Sequence, residues 1–221
     1  MAGRRPLWDH ADVPPRTALE QLASPPGWPA PIVALVLNRL NLPLIAGCAA
    51  ALRLGRGDRA ADLGFGGGRS LRFLLDAVGP EGQVTGIEPS SAMLRYARRR
   101  YPSHLERAGL RILEGTAGDL PLRDASQDGL MSANTVYFWR DIDAGLREIH
   151  RVLADRGRLA IGISESDEQL RMGFAREGYL VIRPEELVER VRGAGFRDVR
   201  LGRRESGRQG AIISARRGAR D

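Results

Sequence analysis

Polar and apolar residues follow two different periods along this chain, and the change comes near residue 55. Before it, Ile32, Leu35, Val36 and Leu40 recur at three- and four-residue spacing, as on one face of a helix. The helical pattern covers 31–54. Pro43 lies inside it and predicts a break into two helices, because proline removes one backbone hydrogen bond and crowds the preceding turn. After a turn at 55–58, short apolar runs alternate with amphipathic stretches. Strands are predicted at 59–63, 83–87, 110–113, 127–133 and 158–164, and helices at 69–78, 90–100, 141–153 and 184–194. Ser90 or Ser91 is the expected N-cap of the second of these helices, and Pro184 sits in the first turn of the last. Two closing strands, 199–203 and 210–215, have only a turn between them and should pair antiparallel. Strands joined by helices of this length require right-handed crossovers. The expected fold is therefore α/β, a doubly wound, seven-stranded, mostly parallel sheet with an antiparallel last strand and an N-terminal helical lid.

Residues 1–30 are rich in proline and carry Trp8 and Trp28 as anchors. The division expected is an N-terminal arm and helical cap over 1–54, followed by one main domain over 55–221. The link at 164–183 is long for a strand-to-helix connection, and loops of that size are commonly lids. With the cap, it is the expected wall of a ligand pocket.

Composition narrows the classes. A chain of 221 residues with 43% hydrophobic content can bury one core, and no apolar run reaches the length of a membrane span, about 18 residues. Arg4 and Arg5 are followed by Asp9, Asp12 and paired prolines, which is not the pattern of a secretory signal. One cysteine, Cys48, supports neither an internal disulfide nor a multi-cysteine zinc site, so a cytoplasmic location is expected. The net charge is +7, and all 34 basic residues are arginine. That pattern follows from GC-rich codons more simply than from nucleic-acid binding. Arg95, Arg98, Arg99 and Arg100 read as a solvated helix face, and an aromatic content of only 5% argues against an RNA track.

The chemistry concentrates where the first strand meets its helix. Asp62, Gly64, Gly66 and Gly68 stand at alternate positions, and glycines there leave no side chain between the backbone and a ligand at the helix N-terminus. The dinucleotide pattern GxGxxG fails, since Arg69 stands where its last glycine belongs. Glu88 ends the second strand 20 residues beyond Gly68, where a carboxylate can accept hydrogen bonds from both hydroxyls of a ribose.

These stretches, with Gly86–Ser90 and Met93-Leu94, Gly118–Leu122 and Arg147–Leu153, resemble the Rossmann-like class I S-adenosylmethionine-dependent methyltransferases. The likeness is nearest to the bacterial group that includes the ubiquinone and menaquinone enzymes, and it covers about residues 55–165 best. The resemblance implies S-adenosylmethionine as methyl donor, S-adenosylhomocysteine as product, and a small-molecule acceptor. It implies that Gly64, Phe65, Gly66 and Gly68 lie beneath the methionine part of the cofactor and that Asp62 orients its amino group. Glu88 would hold the ribose, with Pro89 and Met93 against the adenosine. Family members often carry Asp-Ala after the third strand to read adenine. This chain has Thr116-Ala117, so the hydroxyl of Thr116 or the backbone of Ala117 must serve. After the fourth strand, Asn134 and Tyr137 are the expected contacts to sulfonium and acceptor, while Phe138 is expected to pack inside.

An in-line displacement at an activated methyl group needs mainly placement, and a general base only if the acceptor is protonated. The candidates are His10 in the arm and Glu165 after the fifth strand, with His104 and His150 read as structural. No metal-ligand spacing is present in the sequence. The Asn-Pro-Pro-aromatic and Pro-Cys motifs of nucleic-acid methylation are absent too, since Thr135-Val136 follows Asn134 and Gly47 precedes Cys48. Two alternatives remain, an RNA methyltransferase and a cofactor-binding, cyclase-like scaffold that does not methylate. A monomer or homodimer is expected.

Overall fold

A computed structural model describes residues 30–107, 109–171, 179–203 and 210–218. Helix α1 (Ala30–Leu52) is followed by β1 (Arg59–Leu63), α2 (Arg69–Val78), β2 (Gln83–Glu88), α3 (Ser91–Arg100), the short α4 (Pro102–Glu106) and β3 (Leu110–Glu114). Then come β4 (Gln127–Ala133), a 3₁₀ turn (Val136–Phe138), α5 (Ile142–Val152), β5 (Leu153–Ser164), α6 (Ser166–Arg171), α7 (Pro184–Gly193), β6 (Phe196–Arg203) and β7 (Gly210–Arg217). The seven strands form one sheet in the order β3-β2-β1-β4-β5-β7-β6. Strands β1 to β5 pair in parallel, and β7 runs antiparallel to both β5 and β6. The sequence-derived fold class holds.

Helices α1, α2 and α3 share one core on one side of the sheet, built around Leu52, Leu71, Leu74, Val84, Met93 and Met131. A second core, with Leu130, Leu146, Ile149, Leu187, Val191 and Ile213, joins α5 and α7 to the sheet. Parallel strands covered on both faces carry no alternation of burial, as in β2, where residues 84–88 are all buried, and in the apolar run 159–163 of β5. Local caps act as the sequence indicates. Ser90 Oγ accepts from Met93 N at 3.4 Å, and Asp141 Oδ1 accepts from Ala144 N at 3.0 Å.

The N-terminal segment departs from expectation, since α1 is one helix straight through Pro43. Arg39, whose carbonyl loses its partner to Pro43, and Pro43 itself are both exposed, so water can take the orphaned bond. The opposite face seats Leu44, Ile45, Cys48 and Leu52 on β4 and β5, and that burial outweighs the propensity cost. Gly162 on β5 permits the approach. A Cβ there would lie 2.6 Å from Cys48 Sγ and 2.8 Å from Leu44 Cγ. Strand β5 also starts earlier than expected, directly after α5, with a register shift between Gln127 and Gly129 and a left-handed Arg156. Strand β6 starts at Phe196, and exposed Arg197 and Asp198, the latter left-handed at a bulge, hide that start from the sequence.

Candidate active site

The carboxyl end of β1 turns sharply into α2. Gly64, Gly66 and Gly68 have φ of 77°, 50° and 73°, in the left-handed region that side chains disfavour. Gly64 N donates to Ile87 O at 2.7 Å and Gly68 N to Phe65 O at 2.8 Å, so the turn is tied to β2 and closed on itself. A Cβ on Gly66 would meet nothing within 4 Å, whereas one on Gly64 would strike Thr135 Cγ2 at 2.4 Å. Gly66 therefore faces open space and Gly64 faces protein. Phe65 is buried and anchors the turn, its ring lying over Gly86. Only its backbone is available to a ligand.

Glu88 closes the other side. Its Oε2 accepts from Gly66 N at 2.9 Å and its Oε1 from Ser90 N at 3.1 Å, which spans the turn and the N-cap of α3. Burial raises its pKa, and these two backbone donors pull it back. Each oxygen keeps a second lone pair.

Asp62, at the end of β1, is 1% exposed. Burial is the main cause that pushes its carboxyl up to about 7; a hydrogen bond with Ser70 works against this, and nearby Glu88 adds to it. Its Oδ2 has no hydrogen-bond partner among the described residues. A buried, unpaired acceptor next to a second carboxylate is costly. A cationic donor would relieve both. The α-ammonium of S-adenosylmethionine is such a donor, and Glu88 offers acceptors for ribose hydroxyls, so the residues present fit this cofactor. Cys48 lies close enough that Asp62, after burial, contributes to the raised pKa of its thiol.

Other expected contacts are placed differently. Pro89 is half-buried beside Glu88, but Met93 is fully buried in the core beneath α3 and offers no surface to an adenosine. Thr116 is exposed in the loop after β3, where its carbonyl accepts from Asp119 N at 3.3 Å, and Ala117 is buried near Gly145. This loop is held by a bracket that sequence reading missed. Glu148 accepts from Leu120 N at 3.0 Å, and Arg151 donates to Leu120 O at 3.1 Å and Leu122 O at 2.9 Å while pairing with Glu148 and Asp124. Two stretches that carry the family resemblance, 118–122 and 147–153, are thus one structural unit.

Asn134 follows β4 with φ of 57°. Its Oδ1 accepts from Tyr137 Oη at 3.0 Å and Ser164 Oγ at 3.3 Å, and its Nδ2 donates to Asn41 Oδ1 at 2.9 Å. The sequence predicts that Tyr137 faces an acceptor, and the structure differs. This residue is 2% exposed, more buried than Phe138, and its hydroxyl accepts from Ser164 N at 2.5 Å. Phe138 packs edge-on to Tyr179, with ring centroids 5.0 Å apart. Glu165 is not free either, because Arg203 Nε holds it at 2.9 Å toward the β6 edge. His10 lies outside the described residues. His150 packs edge-on to Phe196 and His104 edge-on to Tyr101. Arg95, Arg98, Arg99 and Arg100 are exposed, with Arg98 reaching Ile112 O at 3.2 Å. No helix among the described residues is long and apolar enough to cross a membrane.

Residues 61–161 match the family model of a methyltransferase domain. The chain is 34% identical over 146 residues to 2-methyl-6-phytyl-1,4-hydroquinone methyltransferase 2 of Oryza sativa subsp. japonica, a match covering 66% of this chain and 40% of that relative. It therefore spans well under half the length of that protein. It is 27% identical over 152 residues to an uncharacterised methyltransferase of Bacillus subtilis, covering 67% of this chain and 76% of the other. The solved structure of a SAM-dependent methyltransferase from Aquifex aeolicus superposes with a TM-score of 0.68 at 23% identity, over 92% of this chain and 98% of that one. With the strand order and the glycine turn beside Asp62 and Glu88, residues 61–161 resemble the methyltransferase domain of the class I S-adenosylmethionine-dependent enzymes.

Proposed function

We propose that this chain transfers a methyl group from S-adenosylmethionine to a small-molecule acceptor, of which an aromatic hydroquinone is the leading class. The observation that carries the reading is Asp62, a buried carboxylate with an unpaired oxygen at the glycine turn, near enough to Glu88 to feel its charge. In this reading Asp62 takes the cofactor ammonium and Glu88 the ribose hydroxyls. The backbone of Gly64, Phe65, Gly66 and Gly68 lines the methionine portion. Pro89, Thr116 and Ala117 border the adenosine through surface and backbone, and Met93 supports them from below. When bound, the cofactor supplies an activated methyl group, so the protein's task is to exclude water and align the acceptor. The acceptor side is then the carboxyl edge of β4 and β5 around Asn134, with α1 and the 164–183 link as its walls and 1–54 acting as a cap.

A hydroquinone acceptor is supported by the name of the rice relative. Glu165 could act as a base only by leaving Arg203, and Tyr137 holds Asn134 rather than touching an acceptor. His10 remains the other candidate base. We propose further that transfer is metal-free and cytoplasmic, by a monomer or homodimer. The test is incubation with S-adenosylmethionine and a panel of hydroquinones, phenols and amines, read by mass spectrometry. A gain of one methyl mass on a panel member, lost in Asp62→Asn, is the expected result. Methylation of bulk RNA in place of every small molecule would overturn the acceptor class.

A further inference from the structure

A continuous hydrogen-bond chain runs along the carboxyl ends of β4 and β5, outside the cofactor clasp. It begins on α1, where Asn41 Oδ1 accepts from Asn134 Nδ2, and passes through Tyr137 Oη and Ser164. From Ser164 O it continues to Gln169 on α6, whose Nε2 donates to Ser164 O at 2.6 Å and to Ile182 O at 2.8 Å. Ile182 N returns a bond to Gln169 Oε1 at 2.9 Å. The chain thus joins α1 to the residues that lead into α7, the two segments flanking the proposed acceptor side.

Gln169 is fully buried, and Tyr137 and Ser164 nearly so. Buried polar groups are costly unless satisfied, and in a connected set each loss leaves the next member unpaired. An apolar core, as lies beside it around Ile163, Ile182 and Leu187, would hold the same elements together without that constraint. What the polar chain adds is dependence: α1 cannot lift from Asn134 without disturbing the atoms that seat Gln169.

We propose that Asn41 and Gln169 are positioning residues that seat the two walls of the acceptor side as one unit, acting through Asn134, Tyr137 and Ser164. The proposal rests on the methyl-transfer reading only for what the walls enclose. Its test needs neither cofactor nor acceptor. Cys48, the chain's single cysteine, is fully buried on α1 two turns beyond Asn41, so its labelling by a thiol reagent reports lifting of α1. Gln169→Leu and Tyr137→Phe each remove a link without replacing any residue of α1. Each is expected to speed Cys48 labelling by about tenfold or more, since Tyr137 Oη carries two bonds of the chain and Gln169 three. Once either is present, Asn41→Ala should add little, since a cut chain is already uncoupled. Urea unfolding of each variant separates local from global effects. Wild-type labelling rates in Gln169→Leu, acceleration no larger than the loss of global stability explains, or full additivity with Asn41→Ala would each overturn the coupling. All of these readings stand whether or not methyl transfer is found.

Discussion

The carboxyl of Asp62 offers the sharpest test, because one substitution should move stability and ligand binding in opposite directions. Burial holds it at about 7, against the ordinary 3.8. A group whose folded pKa is raised binds its proton more tightly folded than unfolded, so stability falls as pH rises. The penalty is absent below pH 3.8, grows as the pH climbs from there to about 7, and is complete above. At 1.36 kcal/mol per pKa unit it reaches up to about 4 kcal/mol. Asp62→Asn keeps the shape and the Ser70 contact while removing the ionisation. The ligand-free variant should therefore be more stable than wild type above neutral pH, with the advantage shrinking toward acid. Urea titrations between about pH 5 and about pH 8 measure this directly. Binding should go the other way. An ammonium beside Asp62 favours its charged form, so wild-type affinity for S-adenosylhomocysteine should rise with pH through neutrality, with proton release seen as a buffer-dependent calorimetric enthalpy. In Asp62→Asn both effects should vanish and affinity should fall. Parallel stability curves for the two proteins would show that Asp62 titrates as a solvated acid. Unchanged affinity in the variant would remove it from the site.

Three further perturbations test the rest of the clasp. Glu88→Gln keeps the side-chain shape but loses the charge, and should weaken S-adenosylhomocysteine binding by about 1.5–3 kcal/mol in calorimetry; wild-type affinity would place the ribose elsewhere. Gly66→Ala should cost about 1–2 kcal/mol of stability from its left-handed φ alone, because its Cβ meets no protein atom, yet abolish binding by entering ligand space. A variant that still binds would show that the open space at Gly66 is not the ligand's. Arg151→Met removes the side-chain donor of Leu122 O and one of two donors to Leu120 O, leaves Glu148 and Asp124 without that partner, and should destabilise the protein by about 2–3 kcal/mol. Hydrogen exchange should accelerate across 118–124 before the rest of the sheet, and uniform acceleration would contradict a local bracket.

The sheet was legible because short buried segments alternate with amphipathic helices and are bounded by polar turns, and because Ser90 and Asp141 cap helices by rules that act over three residues. Where tertiary contacts override local preference, the pattern misleads. Pro43 carries a genuine breaking signal, and only the packing of Leu44, Cys48 and Leu52 on β4 and β5, unseen in sequence, keeps α1 whole. The start of β6 was hidden for the opposite reason. It is an edge strand, where charged residues are tolerated and serve to block further pairing. Met93 and Tyr137 show a third limit. The family resemblance places them near the site, but their side-chain direction depends on which face of α3 and of the 3₁₀ turn meets the core.

The two halves of the site differ in this respect for a physical reason. The cofactor half is a local device: Asp62, the glycines and Glu88 lie within 27 residues of one another, and the turn together with the β1–β2 pairing fixes their placement. Such a device leaves a contiguous imprint. The acceptor half is assembled from α1, the exit of β4, the exit of β5 and the approach to α7. Its first bond joins residues 93 positions apart. Asn41, Ser164 and Gln169 are individually unremarkable in the sequence, and Asn134 and Tyr137 stand out only through the family resemblance, which does not reveal that they bind one another. Gln169 illustrates the point. In sequence it is a polar residue between Glu168 and Leu170, yet it is fully buried while Leu170 is 54% exposed. A helix so short cannot bury its apolar face on its own account, and the two backbone groups of Ile182 that need partners decide which side turns inward. Recognition of the donor is thus written in one stretch of chain. Whatever selects the acceptor is distributed among contacts that exist only once the sheet has closed.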